Sequence, residues 1–383
     1  MTEASHRATP LRVLHIAESA RGGVGTYLNQ IVPELVAWRG ADGRVLDSCV
    51  LMPDEHRFML TRVGDAAVAT YRRNGRGPAA FARLAAASWR ALRRLRPDVV
   101  HLHSSFAGMV VRPLLPLSRA LFGCPRAVIY SPHGWGFQIT GSRLRQGAIA
   151  SIERALTLLA DRIIVLSDAE RAECIDRGFP AAKLVRIYNG IDEAPPAVPP
   201  AVWSDPRLRV LFVGRFDRQK GLDTLLAAAA DARDRVHVRC AGASVVGDGD
   251  GAAPVCDNAE MLGWMNEEQL QAQYAAADVI AVPSRWEGFG LVAIEAMRAR
   301  RPVVASRIGG LPEVVEDGVS GRLVPPDDPA ALLAALLTDT AAARDAMGAA
   351  GQARFLALFT ARRSAAALAD TYLAVVAKTA ARR

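Results

Sequence analysis

Apolar positions along this chain fall into short runs that alternate with longer, gapped stripes. Short runs suit strands buried on both faces. They occur at residues 11–17 (LRVLHIA), 45–52 (VLDSCVLM), 98–103 (DVVHLH), 126–131 (RAVIYS) and 162–167 (RIIVLS). Between them, Tyr27, Leu28, Ile31, Leu35 and Trp38 recur at helical spacing and predict a helix over 24–38. Phe81, Leu84, Ser88, Leu92 and Leu95 do the same over 78–95, and a third helical stretch covers 143–159. Strand–helix alternation of this kind implies right-handed βαβ units and a parallel sheet.

Residues 193–206 (EAPPAVPPAVWSDP) interrupt the pattern with five prolines and read as a stiff, extended domain boundary. The alternation then restarts. Strands are predicted at 208–214, 235–242, 278–284 and 302–306. Helices are predicted at 222–233, 266–276, 291–300, 329–337 and across much of 340–379. The chain thus reads as α/β, with two βαβ domains at 1–195 and 196–360 and a terminal helical segment at 361–383. In open parallel sheets, ligands sit beyond the carboxyl ends of the strands, so both sheets are expected to face an interdomain cleft.

Two domains suit 383 residues, since a single core rarely grows past about 250–300. An apolar fraction of 51% with 22% charged residues excludes a disordered chain. No stretch reaches the roughly 20 apolar residues of a membrane span, and the first residues (MTEASHRATP) have no signal-peptide core. A cytoplasmic location is the expectation. Five scattered cysteines, without CxxC or zinc spacing, read as reduced thiols. Charge is uneven: residues 1–200 carry a net +9 and the remainder −1. Eight arginines (Arg72, Arg73, Arg76, Arg83, Arg90, Arg93, Arg94 and Arg96) lie between Asp65 and Asp98 with no acid among them. Such a stretch is either a solvated helix face or a patch for an anionic surface, the inner membrane face above nucleic acid.

Four turns carry candidate chemistry, each directly after a predicted strand. Glu287-Gly288-Phe289-Gly290-Leu291 leads into a helix bearing Glu295. Glycines without side chains let the chain approach a ligand, and the helix N-terminus favours a diphosphate. A carboxylate at Glu295 can accept two vicinal hydroxyls. Gly214-Arg215-Phe216-Asp217-Arg218-Gln219-Lys220-Gly221 offers a guanidinium and an ammonium beside free amides, a cradle for a leaving diphosphate. It lacks the Walker A order. Arg21-Gly22-Gly23-Val24-Gly25 can admit another phosphate or sugar near a helix N-terminus. Its third glycine position holds Leu28, which disfavours a dinucleotide dehydrogenase. Ser131-Pro132-His133-Gly134-Trp135 places an imidazole where it can hold a sugar hydroxyl. His101 and His103 read as core or cleft-wall residues. Asp248-Gly249-Asp250 reads as a solvated turn rather than a metal site, and no other cluster offers ligands for magnesium.

Taken in order, these turns resemble the retaining glycosyltransferases of family 4, which have the GT-B fold. The matching elements also include Ser167, Asn189-Gly190-Ile191-Asp192, Pro283-Ser284, Gly309-Gly310-Leu311-Pro312-Glu313 and Asp317-Gly318-Val319-Ser320-Gly321, spanning about residues 11–360. The resemblance implies an enzyme that moves a hexose-type sugar from a UDP- or GDP-sugar; the basic first domain and the lack of a membrane span point to a lipid-linked or glycan acceptor, and exopolysaccharide or cell-envelope synthesis is the expected setting. The resemblance also implies that Arg215 and Lys220 bind the donor diphosphate and stabilise its departure, that Glu295 holds the ribose, and that Glu287 touches the sugar hydroxyls. His133 would contact the sugar near the transfer point, and Gly22 and Gly23 would leave room for a phosphate. Gly214, Gly288, Phe289, Gly290 and Leu291 complete the expected donor site. It further implies front-face substitution with retention, no metal and no cofactor, domain closure around the donor, and a terminal helix that packs back on the first domain. The segment 241–251 (AGASVVGDGDG) departs from the family's usual loop. Two other readings stand beside this one: a glycoside hydrolase using two carboxylates, and a GT-B relic that binds a nucleotide sugar or lipid without turnover.

Overall fold

The computed structural model describes residues 10–20, 22–73, 75, 77–138, 142–244 and 256–381. Asp248 and Asp250, Arg21 and Arg76 lie outside them. The chain divides into two compact units, Met1–Gly190 with Ala361–Arg383, and Ile191–Thr360.

The first unit contains β1 (Leu11–Ala17), α1 (Gly23–Ala37), β2 (Leu46–Pro53), β3 (Val68–Tyr71), α2 (Pro78–Leu95), β4 (Val99–His103), α3 (Ser105–Val111), α4 (Leu115–Phe122), β5 (Ala127–Ser131), α5 (Arg143–Leu156), β6 (Arg162–Val165), α6 (Asp168–Asp176) and β7 (Leu184–Arg186). Its seven strands are parallel, in the order β3-β2-β1-β4-β5-β6-β7. Strand residues alternate between two cores. Val13, Ala17 and Val99 face a core built with α1, while Leu14, Ile16, Val100 and Leu102 face one built with α2.

The second unit contains β8 (Leu208–Val213), α7 (Leu222–Ala230), β9 (Val236–Ala241), β10 (Ala259–Gly263), α8 (Glu267–Ala276), β11 (Val279–Val282), α9 (Leu291–Arg298), β12 (Val303–Ser306), α10 (Leu311–Val314), β13 (Gly321–Val324), α11 (Pro329–Thr338) and α12 (Ala341–Leu358). Its six parallel strands run β10-β9-β8-β11-β12-β13. Val210, Phe212 and Val279 pack with α7 and α11, and α12 lies against α9.

After Thr360 the chain re-enters the first unit as α13 (Ala361–Ala380). Ala365, Leu368, Ala369, Tyr372, Val375 and Val376 of α13 are buried in the α1-side core.

The four strands that the apolar pattern does not predict, β3, β7, β10 and β13, are the four sheet edges. An edge strand is not enclosed on both sides, so it needs no apolar run. β3 and β10 accordingly expose or half-expose most of their residues. The short helices α3, α4, α6 and α10 were also not predicted; two prolines punctuate the stretch that forms α3 and α4.

The division between the units falls at Gly190/Ile191, so the proline-rich stretch belongs to the second unit. Trp203 is buried there, donates from Nε1 to His237 Nδ1 at 2.8 Å and lies 4.5 Å under the Arg239 guanidinium. Ala201 donates its amide to the Ala272 carbonyl. Rigid prolines hold this segment extended, and the tryptophan fastens it to the sheet.

Candidate functional site

In the second sheet, β8 and β11 are neighbours from which the crossovers diverge to either side. The carboxyl ends of such a pair open a crevice. The loop after β8 carries Arg215 and Lys220, and the loop after β11 carries Glu287 to Gly290. Sequence places these loops far apart, and the sheet order makes them adjacent.

Two glycines let the backbones touch. Gly221 has φ +66°, and a Cβ there would lie 2.0 Å from the Pro283 carbonyl oxygen. Gly309 has φ +53°, and a Cβ there would lie 1.9 Å from the Glu287 carbonyl oxygen. Any larger residue would force three loops apart. Arg285 clamps the same region. It donates its amide to the Gln219 carbonyl and forks onto both Asp223 carboxylate oxygens at 2.8 and 2.7 Å, and it also pairs with Asp327. The Arg285 fork holds the Asp223 carboxyl below its ordinary range, against the opposing effect of burial.

Within this frame Lys220 Nζ lies 2.5 Å from Glu287 Oε2, and Ser284 donates its hydroxyl to the same oxygen at 3.3 Å. Arg215 pairs with Asp217 at 3.0 Å and donates to Gln219 Oε1 at 2.7 Å. Gln219 in turn donates to the Trp286 carbonyl at 3.1 Å. Both cations are therefore positioned by acceptors from the paired loops, with the Arg215 side chain 44% exposed and able to turn toward an anion.

The α9 helix starts at Gly290, φ +99°, without a side-chain cap and without an acid in its first turn. Its leading amides present the positive end of the helix to the crevice. Glu295 is half-buried on α9 and accepts from the Tyr274 hydroxyl at 2.8 Å. Burial raises its carboxyl above the ordinary range, against the Tyr274 bond and the Arg298 charge. The Phe289 side chain is buried against Phe359, so what Phe289 offers a ligand is backbone. Gly288 meets nothing within 4 Å of where a Cβ would stand.

His133, Gly22 and Gly23 belong to the first unit. Gly22, φ +79°, precedes α1, which has no side-chain cap or first-turn acid. Tyr27 of α1 packs on the His133 ring, centroids 4.6 Å apart. Behind His133 lies a group the sequence did not announce. His133 Nε2 is 2.9 Å from His103 Nδ1, and His103 Nε2 is 3.0 Å from His15 Nδ1. His101 bonds Tyr372 at 2.6 Å and Ser131 at 2.7 Å. Burial pushes His15 down to about 3, His133 to about 4, and His101 and His103 well below the ordinary imidazole range. All four are neutral at physiological pH. The His101-x-His103 spacing shows that these two share a face. The partnership with His15 needs strand pairing that no local pattern reveals. Asp217, Gln219 and Tyr274 likewise carried no sequence signal.

Residues 207–339 match the family described as "Glycosyl transferases group 1", and residues 21–194 match "Glycosyltransferase Family 4". An uncharacterized 41.2 kDa protein in the cps region of Klebsiella pneumoniae is 32% identical over 324 residues, covering 82% of this chain and 86% of that protein. The D-inositol 3-phosphate glycosyltransferase of Thermobifida fusca is 33% identical over 296 residues, 66% of this chain and 64% of that protein. Anabaena HepE, solved in complex with UDP and glucose, superposes with a TM-score of 0.76 at 21% identity, covering 95% of this chain and all of that one.

Proposed function

The chain belongs to the group 1, family 4 glycosyltransferases and has their two-domain GT-B architecture, and from that premise we propose that it transfers a hexose from a UDP-sugar, with retention of configuration, to a lipid-linked or glycan acceptor. The observation that carries this reading is the Lys220–Glu287 pair at the β8/β11 crevice, beside Arg215 and the uncapped start of α9. As the sugar–phosphate bond breaks, negative charge grows on the leaving diphosphate. Lys220, Arg215 and the α9 amides stabilise that charge in place, without reorganisation at the moment of reaction. Glu287 accepts from sugar hydroxyls while holding Lys220, and Glu295 accepts from the ribose, its carboxyl already oriented by Tyr274. The family resemblance gives His133 a contact with the sugar near the transfer point. Positioning of the acceptor hydroxyl supplies the rest of the rate.

UDP is preferred to GDP because the similar-fold Anabaena protein holds UDP and glucose. The cps-region relative supports a role in exopolysaccharide or envelope glycan synthesis. Fixed cations at the leaving group make a metal unnecessary, so turnover is expected to survive EDTA.

Thermal-shift measurement against a panel of UDP- and GDP-sugars tests the donor. A UDP-sugar should raise the midpoint and a GDP-sugar should not. Incubation with the stabilising donor, with and without lipid-linked glycan, separates transfer from hydrolysis and from mere binding. Absence of stabilisation by every nucleotide sugar would refute the reading.

A further inference from the structure

The histidines of the first unit form a file with a direction. Register sets His15 opposite His101 and Ala17 opposite His103 across β1 and β4, so all three imidazoles project on the α1/α13 side of the sheet. His15, His101 and His103 are fully buried. A neutral imidazole has one donor nitrogen and one acceptor nitrogen. His103 is bonded through both, to His133 on one side and His15 on the other. Protons along His15–His103–His133 must therefore all point the same way.

The buried end decides which way. His15 Nε2 is inaccessible and has no partner among the described residues. If the file pointed inward, this nitrogen would carry an N–H with no acceptor, the rarer and costlier kind of orphan. Pointing outward, it carries only a lone pair. His15 then donates from Nδ1 to His103 Nε2, and His103 donates from Nδ1 to His133 Nε2. The proton of His133 is left on Nδ1, which no described residue bonds. Three close imidazoles also suggest a metal, since one nitrogen of each of His15, His101 and His103 lies within 4.8 Å of the others. Ligation would break the His15–His103 bond, and both His101 nitrogens are already taken by Tyr372 and Ser131. The hydrogen-bonded file accounts for the same atoms without that loss.

We propose that His15 and His103 are positioning residues that fix His133 as an Nδ1–H donor toward a sugar oxygen, so that His133 is an electrostatic contact and not a general base. The sugar part rests on the glycosyltransferase reading above, and the direction of the file does not. A base at this position would need its lone pair facing the ligand, and the outward file turns that lone pair toward His103. His101, tied to Tyr372 of α13 and to Ser131 of β5, packs at a tilt against His103 with ring centroids 4.1 Å apart and keeps the ring from turning.

The test begins with the unaltered chain. Two-bond proton–nitrogen correlation spectra of histidine-labelled protein at pH 7 report each tautomer, with His133 assigned by the signal lost in His133→Gln. An Nδ1–H tautomer at His15, His103 and His133 is expected. An Nε2–H tautomer or an imidazolium at His133 would overturn the file. Hydrolysis of UDP-glucose then tests its use. His103→Phe keeps the ring but not the bonds and should lower kcat about tenfold, the worth of one positioned hydrogen bond. His103→Gln, able to accept on one side and donate on the other, should recover part of the loss. An unchanged kcat in His103→Phe or His133→Gln would overturn the positioning role. Failure of the unaltered chain to turn over any UDP-sugar would instead sink the donor reading while the spectra still judge the file.

Discussion

Lys220 and Glu287 are 67 residues apart in sequence and 2.5 Å apart in the second unit. The resemblance gave them separate duties, one on the diphosphate and one on the sugar. Their contact makes them one unit. Lys220→Ala and Glu287→Ala should each lower UDP-glucose turnover by about 10²–10³. The double variant should fall little further, with a coupling energy of about 3 kcal/mol, close to the whole of either single loss. Isothermal titration should show UDP binding weakened more by Lys220→Ala than by Glu287→Ala. Simple additivity of the two rate losses would show that the pair does not act together.

The glycines of the crevice divide into two kinds. Gly221→Ala drives a methyl into the Pro283 carbonyl at a positive φ. It should cost about 1–3 kcal/mol in urea unfolding. Gly288→Ala meets open space and should change stability by less than about 0.5 kcal/mol, yet it should impair turnover if the donor lies against it. Equal urea midpoints for the two variants would contradict the geometry.

Arg112 and Glu153 form a fully buried ion pair at 2.5 Å, completed by the Tyr130 hydroxyl on Glu153 at 2.9 Å. Removing one partner strands a buried charge. Glu153→Ala should lose about 3–5 kcal/mol, whereas the joint change Arg112→Met with Glu153→Leu should recover most of it. Denaturant unfolding of the three proteins checks the order.

The histidine file should weaken the fold in acid. The folded chain holds His133 near 4 and His15 near 3, while the unfolded chain titrates near 6.5. Below 6.5 the unfolded state binds protons that the folded state refuses, so stability falls as pH drops from about 6.5 toward 4 and 3. Each such proton contributes a slope of about 1.4 kcal/mol per pH unit. His15→Phe removes one proton from the difference and should flatten the decline of the thermal midpoint between pH 6.5 and 4. Parallel profiles would show that His15 is protonated in the folded chain.

The arginine-rich stretch forms α2 and its flanks. Arg90, Arg93 and Arg94 are exposed and make no ion pair among the described residues, whereas Arg73 is engaged by Glu18 and Glu55. We propose that the exposed set meets an anionic membrane surface. Vesicles containing phosphatidylserine should sediment the protein at low salt, and reversal to Glu at all three positions should release it. Equal binding to neutral phosphatidylcholine vesicles would refute this.

No helix among the described residues is long and apolar enough to cross a membrane. The nine interior strands were legible because enclosure on both faces demands consecutive apolar residues, and helix α2 because its buried stripe repeats every three to four. The four edge strands were not, because half-exposed strands can be built from nearly any residues. The glycine, Arg215, Lys220, Glu287 and Glu295 positions could be read locally, since turns after strands and helix starts are written in consecutive residues.

Sequence by itself determined the α/β alternation, the two sheets and the residue types at each strand's carboxyl end, because periodicity and turn chemistry act over a few neighbouring positions. Only the tertiary structure decided that Lys220 meets Glu287, that the proline stretch is pinned by Trp203, and that His15 stands behind His103 and His133. Those pairings depend on which strands lie side by side, and strand order is fixed by the packing of whole helices on whole sheets rather than by any local pattern.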